Sequence, residues 1–499
     1  MEATMKIWMK RIALTALSLC LCAAPSLALT LTGLETETVT REWETNAFFV
    51  RMQALTGVDV QAHGVDDEQA YEALLDGMLR GEIPADALFK AGLSREREIA
   101  LLNSGAIIDL APLIEEHMPN LSALFAAHPE WREVVELEDG RIASLPQLTE
   151  EPRQVLVWIN SAWLKKLGVA MPQTVQELTA ALQKMRDNDP NGNGKWDEIP
   201  ADLVGVYEMR WLLPFFGVVA DDYNVARDES GALVFAPELP GYRDFVATLR
   251  DWYERGLLPR EAFTRAHNMA SLDTGSQQDE TVVSGLIVTV APYTNVAGSA
   301  VLDYEPLLIA APNGRTRWRD MLGGVWTGCF AVTSACEDIE GALRWVDALY
   351  GEEGALLAYA GALGEDYEVR EDGIWAFLVD SYRTVNDIRA ESIIYTGETL
   401  PGLVPSDFMH RVDNEQDRHV LDASQKALAF AERVVEPYAL GESVRAQANA
   451  LAAVIGAEVD MGIARFVTGE LEMTDENWDA WLAALSEAGS GELVALLAK

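Results

Sequence analysis

The chain has 499 residues, a formal charge of −41 and a hydrophobic fraction of 49%. So large a surplus of carboxylates excludes a nucleic-acid binder, which must neutralise phosphates, and argues against docking on anionic lipid. The length exceeds what one core usually fills, so two lobes are expected, and the composition is that of a folded chain.

The N-terminus has the make-up of an export signal. Lys6, Lys10 and Arg11 precede the apolar run Ile12 to Ala24, which is too short for a confident membrane span. Ser26-Leu27-Ala28 supplies small residues for cleavage, so residues 1–28 read as a signal peptide and the mature chain starts near Leu29 with a charge of −43. An exported protein, extracellular or periplasmic, is expected. Cys20 and Cys22 lie inside the signal and follow Leu19 and Leu21, where a lipid-anchor site needs a small residue. The mature chain keeps Cys329 and Cys336, which can pair in an oxidising compartment or remain buried thiols.

After the signal, short strands alternate with helices. Trp43 to Leu55 has apolar residues at helical spacing, closed by Gly57. Val58-Asp59-Val60 reads as a strand, Asp67 to Leu79 as a helix, Ala87-Leu88-Phe89 as a short buried strand. Ser94 caps a helix running to Asn103, and Leu110 to Met118 is another, stopped by Pro119. The alternation predicts α/β lobes with mostly parallel, doubly wound sheets. Val155 to Ile159 is a continuous apolar run, a buried strand. Asn160 caps the helix after it, and Thr174-Val-Gln-Glu177 is a capping box for a helix ending at Arg186. Gly205–Tyr207, Gly285–Val290 and Cys329–Thr333 read as strands. Residues 240–256 and 337–350 read as helices, as do Val444–Phe466 and Asp475–Ala488.

Residues Asp187-Asn-Asp-Pro-Asn-Gly-Asn-Gly-Lys-Trp-Asp-Glu198 match the calcium-loop pattern D-x-[DN]-x-[DN]-G-x5-E. Calcium takes six to eight oxygens. Asp187, Asp189 and Asn191 offer side-chain oxygens, Asn193 a backbone carbonyl, and Glu198 both carboxylate oxygens. Gly192 permits the turn, and water can fill the place of Lys195. A helix enters the loop, but Pro200 discourages one from leaving, which favours a structural clip over a sensor hand. The alternative is an Asn/Gly turn that holds no metal.

Several segments, taken in order, resemble the extracellular solute-binding proteins of ABC importers, in particular the lipoprotein-type group of Firmicutes. They are Thr56-Gly-Val-Asp-Val60, Gly105 to Asn120 with Asp139 to Pro146, Trp158 to Gly168 running through Pro172 into the acidic loop and Pro200, Cys336 to Tyr350, and Phe466-Val-Thr-Gly469 with Trp478 to Leu482. The resemblance implies a type II fold: two α/β lobes joined by a hinge and closing on a ligand, usually a carbohydrate or similar polar solute, delivered to a membrane permease. Lobe 1 would comprise 29–145 plus about 329–375, and lobe 2 146–328 plus about 376–499. A monomer is expected. The family's first strand has only a weak counterpart, Glu35–Arg41.

A sugar offers hydroxyls to polar side chains and C–H faces to aromatic rings, and such clefts are lined by strand ends and hinge segments. Lys90 follows the strand Ala87–Phe89; Gln147 sits at the first crossing; Glu208 and Trp211 follow Gly205–Tyr207; Tyr293 follows the strand ending at Val290; Trp326 lies at the return crossing; Trp43 can close the rim. Each can instead be a core residue. Trp158, Trp163, Trp345, Trp478 and Trp481 fit core positions. The six histidines show no metal-ligand spacing, and neither a Gly-x-Ser-x-Gly elbow nor a His-Glu-x-x-His motif occurs. The reading is therefore a binding protein rather than an enzyme. A binding protein that feeds a sensor kinase, and a secreted carbohydrate-active enzyme, are the alternatives.

Overall fold

A computed structural model describes residues 28–35, 43–264, 282–320, 323–395, 399–435 and 442–498. The expected export signal, save Ala28, and most of Glu35–Arg41 lie outside these residues. Among the described residues the first strand is β1 (Leu29–Leu34), upstream of Glu35–Arg41. Its Leu-Thr-Leu-Thr alternation is a strand pattern, and in sequence it directly follows Ser26-Leu27-Ala28, the expected cleavage site. It pairs in parallel with β2 (Val60–Val65) and β3 (Ala87–Phe89). The strand expected at Val58–Val60 thus starts where that expectation ends. Gly57, in the left-handed region at φ 72°, closes the preceding helix Ala47–Thr56.

The chain then builds helices Arg95–Ser104, Ala111–His117, Pro119–Ala127 and Pro129–Val135. Pro119 does not merely stop a helix; it occupies the first position of the next one, where its missing N–H costs nothing. β4 (Leu145–Leu148) completes the outward run of this lobe. The chain crosses to β5 (Leu156–Asn160) and β6 (Ile199–Ala201), the hairpin β7 (Val225–Arg227) with β8 (Leu233–Phe235), β9 (Ser284–Thr289), β10 (Tyr304–Pro306) and the short β11 (Trp318–Arg319). It returns on the long β12 (Val325–Val332), forms the hairpin β13 (Tyr367–Val369) with β14 (Trp375–Phe377), and adds β15 (Gly402–Leu403). It crosses again after Val412 and ends in the second lobe with β16 (Ala431–Glu432), paired to β11, and the helices Glu442–Thr468, Asp475–Glu487 and Ser490–Leu497.

The first sheet runs β15-β4-β12-β3-β1-β2 and the second β10-β5-β9-β6. Both are mixed. β12 is antiparallel to β3 and β4, and β5 is antiparallel to β9 and β10; the other ladders are parallel. β12 opposes its neighbours because it enters from the second lobe rather than through a crossover helix. β12 also carries a bulge between Trp326 and Phe330. There Gly328, at φ 80°, brings its backbone so close to Leu93 that a Cβ would lie 2.1 Å from the Leu93 carbonyl oxygen.

Each sheet has its own core. The first gathers Leu31, Phe48, Phe89, Leu145, Phe330 and Trp345, and continues through Ile394, Leu400, Phe408 and Val412. Ile394, Leu400, Phe408 and Val412, expected in lobe 2, therefore pack with lobe 1. The second gathers Trp158, Trp211, Phe245, Ile287, Trp318, Ile455, Phe466 and Trp478. The five tryptophans expected in cores are all buried. Cys329 and Cys336 are buried free thiols, and burial pushes the Cys336 thiol up to about 11. No single helix among the described residues is long and apolar enough to cross a membrane.

Candidate functional site

Between the lobes lies a cavity of about 880 Å³ with two unlike walls. The first-lobe wall is aromatic: Tyr359, Phe377, Tyr395 and Phe408. Tyr359 ends the helix Glu352–Tyr359 and stacks on Tyr395, with centroids 4.1 Å apart and planes 21° from parallel. The backbone N–H groups of Ile394 and Tyr395 both donate to the Ala358 carbonyl, which pins the two rings together. Arg389, on the helix Val385–Ser392, is exposed beside them and lines the same space.

The opposite wall is polar and internally bonded. Arg153 donates through Nη1 to the Tyr293 hydroxyl (2.5 Å) and through Nη2 to Asp417 Oδ1 (3.0 Å). The Tyr293 hydroxyl donates to the same Asp417 oxygen (3.1 Å), and Asn414 Nδ2 donates to Asp417 Oδ2 (2.5 Å). Asn414 also caps the helix Glu415–Leu428, so helix start and cavity wall share one set of bonds. Burial, with Asp417 adding to it, raises the Tyr293 pKa against the pull of Arg153, so the phenol remains a neutral donor. Closed networks of this kind hold donors and acceptors in place before a ligand arrives.

Of the seven sequence candidates, Tyr293 lines this cavity. Trp326 is half-buried on β12 opposite Gln147, its indole N–H enclosed and without a hydrogen bond, outside the cavity lining. The remaining five are buried and not cavity-lining. Gln147 donates to the Leu400 carbonyl (3.0 Å). Lys90, 1% exposed and at φ 53°, pairs with Glu35, which also accepts from Trp43 Nε1 (3.2 Å); Trp43 is itself 1% exposed. Gly205–Tyr207 is not a strand but the start of the helix Gly205–Met209, and Glu208 turns back to accept from the Val204 N–H (2.7 Å). Trp211 stacks on Trp318 at 6.3 Å, under Arg319. Sequence reasoning missed Arg153, Tyr359, Arg389, Tyr395 and Asp417. The one local signal was the Asn414 cap at a crossing.

The loop Asp187–Glu198 lies in the second lobe, between the helix Val175–Arg186 and β6. Gly192 and Gly194 take φ 78° and 75°, as its turns require. Asp189 accepts from the Gly192 and Gly194 N–H groups (2.6 and 2.9 Å), and Asn191 Oδ1 from Asn193 N (3.0 Å). Asp197, absent from the predicted ligand set, holds the amides of Asn191 and Asn193. Glu198, at the position expected to grip a cation with two oxygens, has both carboxylate oxygens buried and without a hydrogen-bond partner. Burial raises its pKa, and Asp189 and Asp197 add to the effect. That is the behaviour of a carboxylate lacking a counter-charge. Asp187 is turned outward to Gln183 (2.8 Å) and Arg186 (2.9 Å), bonds that coordination would have to replace. The donor set, all oxygen and largely carboxylate and amide, fits calcium.

No family model matches the chain. The "Fructooligosaccharide ABC transporter substrate-binding protein FusA" of Streptococcus pneumoniae is 30% identical over 332 residues, covering 63% of this chain and 60% of that protein. The structure of S. pneumoniae FusA in complex with kestose superposes with a TM-score of 0.71 at 20% identity, over 95% of this chain and 98% of that one; FusA is also known as an EF-hand mutant in complex with fructo-nystose. The "HMO binding ABC-transporter associated Solute Binding Protein" from Bifidobacterium longum infantis superposes with a TM-score of 0.79 at 18% identity, over 95% of this chain and 98% of that one. The chain thus has the type II, two-lobed solute-binding fold, and in sequence it resembles the extracellular solute-binding proteins of ABC importers.

Proposed function

We propose that the protein captures a carbohydrate of oligosaccharide class between its two lobes and delivers it to an ABC permease, acting outside the membrane as an exported, non-catalytic subunit. The aromatic wall of Tyr359 and Tyr395 facing the Arg153–Tyr293–Asp417 network carries this reading. Stacked rings suit the C–H faces of a sugar ring, and the fixed polar groups suit its hydroxyls. The cavity volume falls within the range of small-molecule sites. FusA binds kestose and fructo-nystose, which makes fructooligosaccharides the first ligands to try.

The loop Asp187–Glu198 holds one structural calcium ion in this reading. Asp187, Asp189, Asn191, the Asn193 carbonyl and Glu198 would be its ligands, and the ion would neutralise the enclosed oxygens of Glu198. A thermal-shift screen against a fructooligosaccharide and glucan panel, run with calcium and with EDTA, tests both parts. A saturable rise with a fructooligosaccharide supports the ligand class. A panel that leaves the melting temperature unchanged removes the carbohydrate reading. Identical curves in calcium and EDTA remove the metal.

A further inference from the structure

Away from the ligand cavity, the lobes meet a second time through charged side chains. Arg445 lies in the first turn of the helix Glu442–Thr468, whose Ala448 and Ile455 belong to the second core. A cation there opposes the positive end of the helix dipole, and Arg445 is nevertheless 8% exposed. Its compensation comes from the other lobe. Nε lies 3.7 Å from Oε1 of Glu96, in the first turn of the helix Arg95–Ser104, whose Leu101 and Leu102 pack in the first lobe. One turn on from Arg445, Asn449 accepts from the Tyr223 hydroxyl (2.8 Å).

Behind Glu96 sits Glu98, wholly buried. It accepts from the Ser144 hydroxyl, and Ser144 Oγ in turn accepts from the Gly328 N–H (2.9 Å). Ser144 immediately precedes β4 and Gly328 forms the bulge of β12, the two strands by which the chain leaves and re-enters the first lobe. Glu98 Oε2 lies 3.1 Å from Arg95 and feels the charge of Arg445. Arg445 Nη2 is buried and makes no hydrogen bond. A buried guanidinium one short step from its carboxylates is sensitive to the angle between the lobes. A small rotation either completes its bonds or releases it to water.

We propose that Arg445 is an affinity-setting latch outside the ligand cavity: it ties the second lobe to Glu96, beside Glu98 and the crossing strands, and favours the arrangement in which both lobes line the cavity. Ligand then selects a state that the latch has already populated. The affinity part of the proposal rests on the two-lobed binding reading; the lobe-distance part does not.

The test uses the full mature chain with spin labels at Glu116→Cys and Glu487→Cys, exposed positions on opposite lobes; Cys329 and Cys336 are buried and escape labelling. Interlobe distance is read by pulsed EPR, and kestose affinity by calorimetry. Arg445→Met keeps the stem and removes the charge, and Glu96→Gln alters an exposed surface carboxylate with little risk to folding. Each is expected to lengthen or broaden the ligand-free distance distribution and to weaken kestose binding about threefold to tenfold, with the double variant no worse than the stronger single one. Distance distributions unchanged in both variants overturn the proposal, and so does tighter binding in either. If kestose binds none of the proteins, the ligand reading fails and the distances alone decide the latch.

Discussion

The acidic loop and the interlobe cavity are built from the same materials, carboxylates and amides, to different ends. The loop draws its groups from twelve consecutive residues, and its geometry is set by two glycines and short-range Asx bonds. The cavity draws Arg153 and Asp417 from positions 264 apart in the chain. In the loop the central carboxylate, Glu198, is left without a partner, whereas in the cavity Asp417 is fully engaged. A buried carboxylate left unsatisfied suits a cation that arrives from solution. One satisfied in advance suits a neutral ligand that needs a rigid wall. The first should govern stability and the second affinity.

That division can be broken at several points. The largest effect belongs to neither region: Trp211→Ala should cost about 3–5 kcal/mol of stability, as large core truncations do, while the remaining folded protein keeps its ligand affinity. Chemical denaturation beside calorimetry checks this, and lost binding at full stability would put Trp211 back in the cleft. Next is the loop. Calcium at a hundredfold excess over its Kd should stabilise by about 2.7 kcal/mol. Glu198→Gln should erase that gain, seen by differential scanning calorimetry, without moving kestose affinity. A change in kestose affinity on EDTA treatment would show the two regions to be coupled. In the cavity, Tyr395→Ala should weaken binding by about 1.4 kcal/mol, roughly tenfold, with the melting temperature held. The smallest effect is on pH. The Glu198 pKa is raised, so in metal-free protein its contribution to stability is present below the ordinary glutamate value and lost as pH rises through the folded value. Calcium takes the ionised form. The calcium-induced rise in melting temperature should therefore shrink on acidification sooner than for an ordinary glutamate, and Asp197→Asn, which removes one of the repelling charges, should delay that loss.

Helix caps and buried strands were legible in the sequence. Asn160, Thr174 and Ser94 cap the helices they were expected to cap, with side-chain oxygens accepting from Trp163, Glu177 and Arg97 N–H groups. The buried strands Ala87–Phe89 and β5 read from their apolar runs. The strand at Leu29 was missed because it abuts the segment read as an export signal, and Gly205–Met209 because Val204-Gly-Val-Tyr207 is as apolar as a strand while its helical state depends on the Glu208 contact to Val204 N–H.

By itself, the sequence determined the α/β alternation, the caps, the core tryptophans and the acidic loop, since each depends on residues within a turn or two of one another. Only the tertiary structure decided which aromatic residues face the cavity. Trp43, Trp211 and Tyr293 all occupy plausible positions at the ends of elements. Trp43 is enclosed beside Glu35 and Lys90, and Trp211 against Trp318. Tyr293 alone meets Arg153 and Asp417 across the second lobe's edge. A side chain's exposure is set by what the rest of the chain lays over it, and for the cleft that covering comes from segments hundreds of residues away.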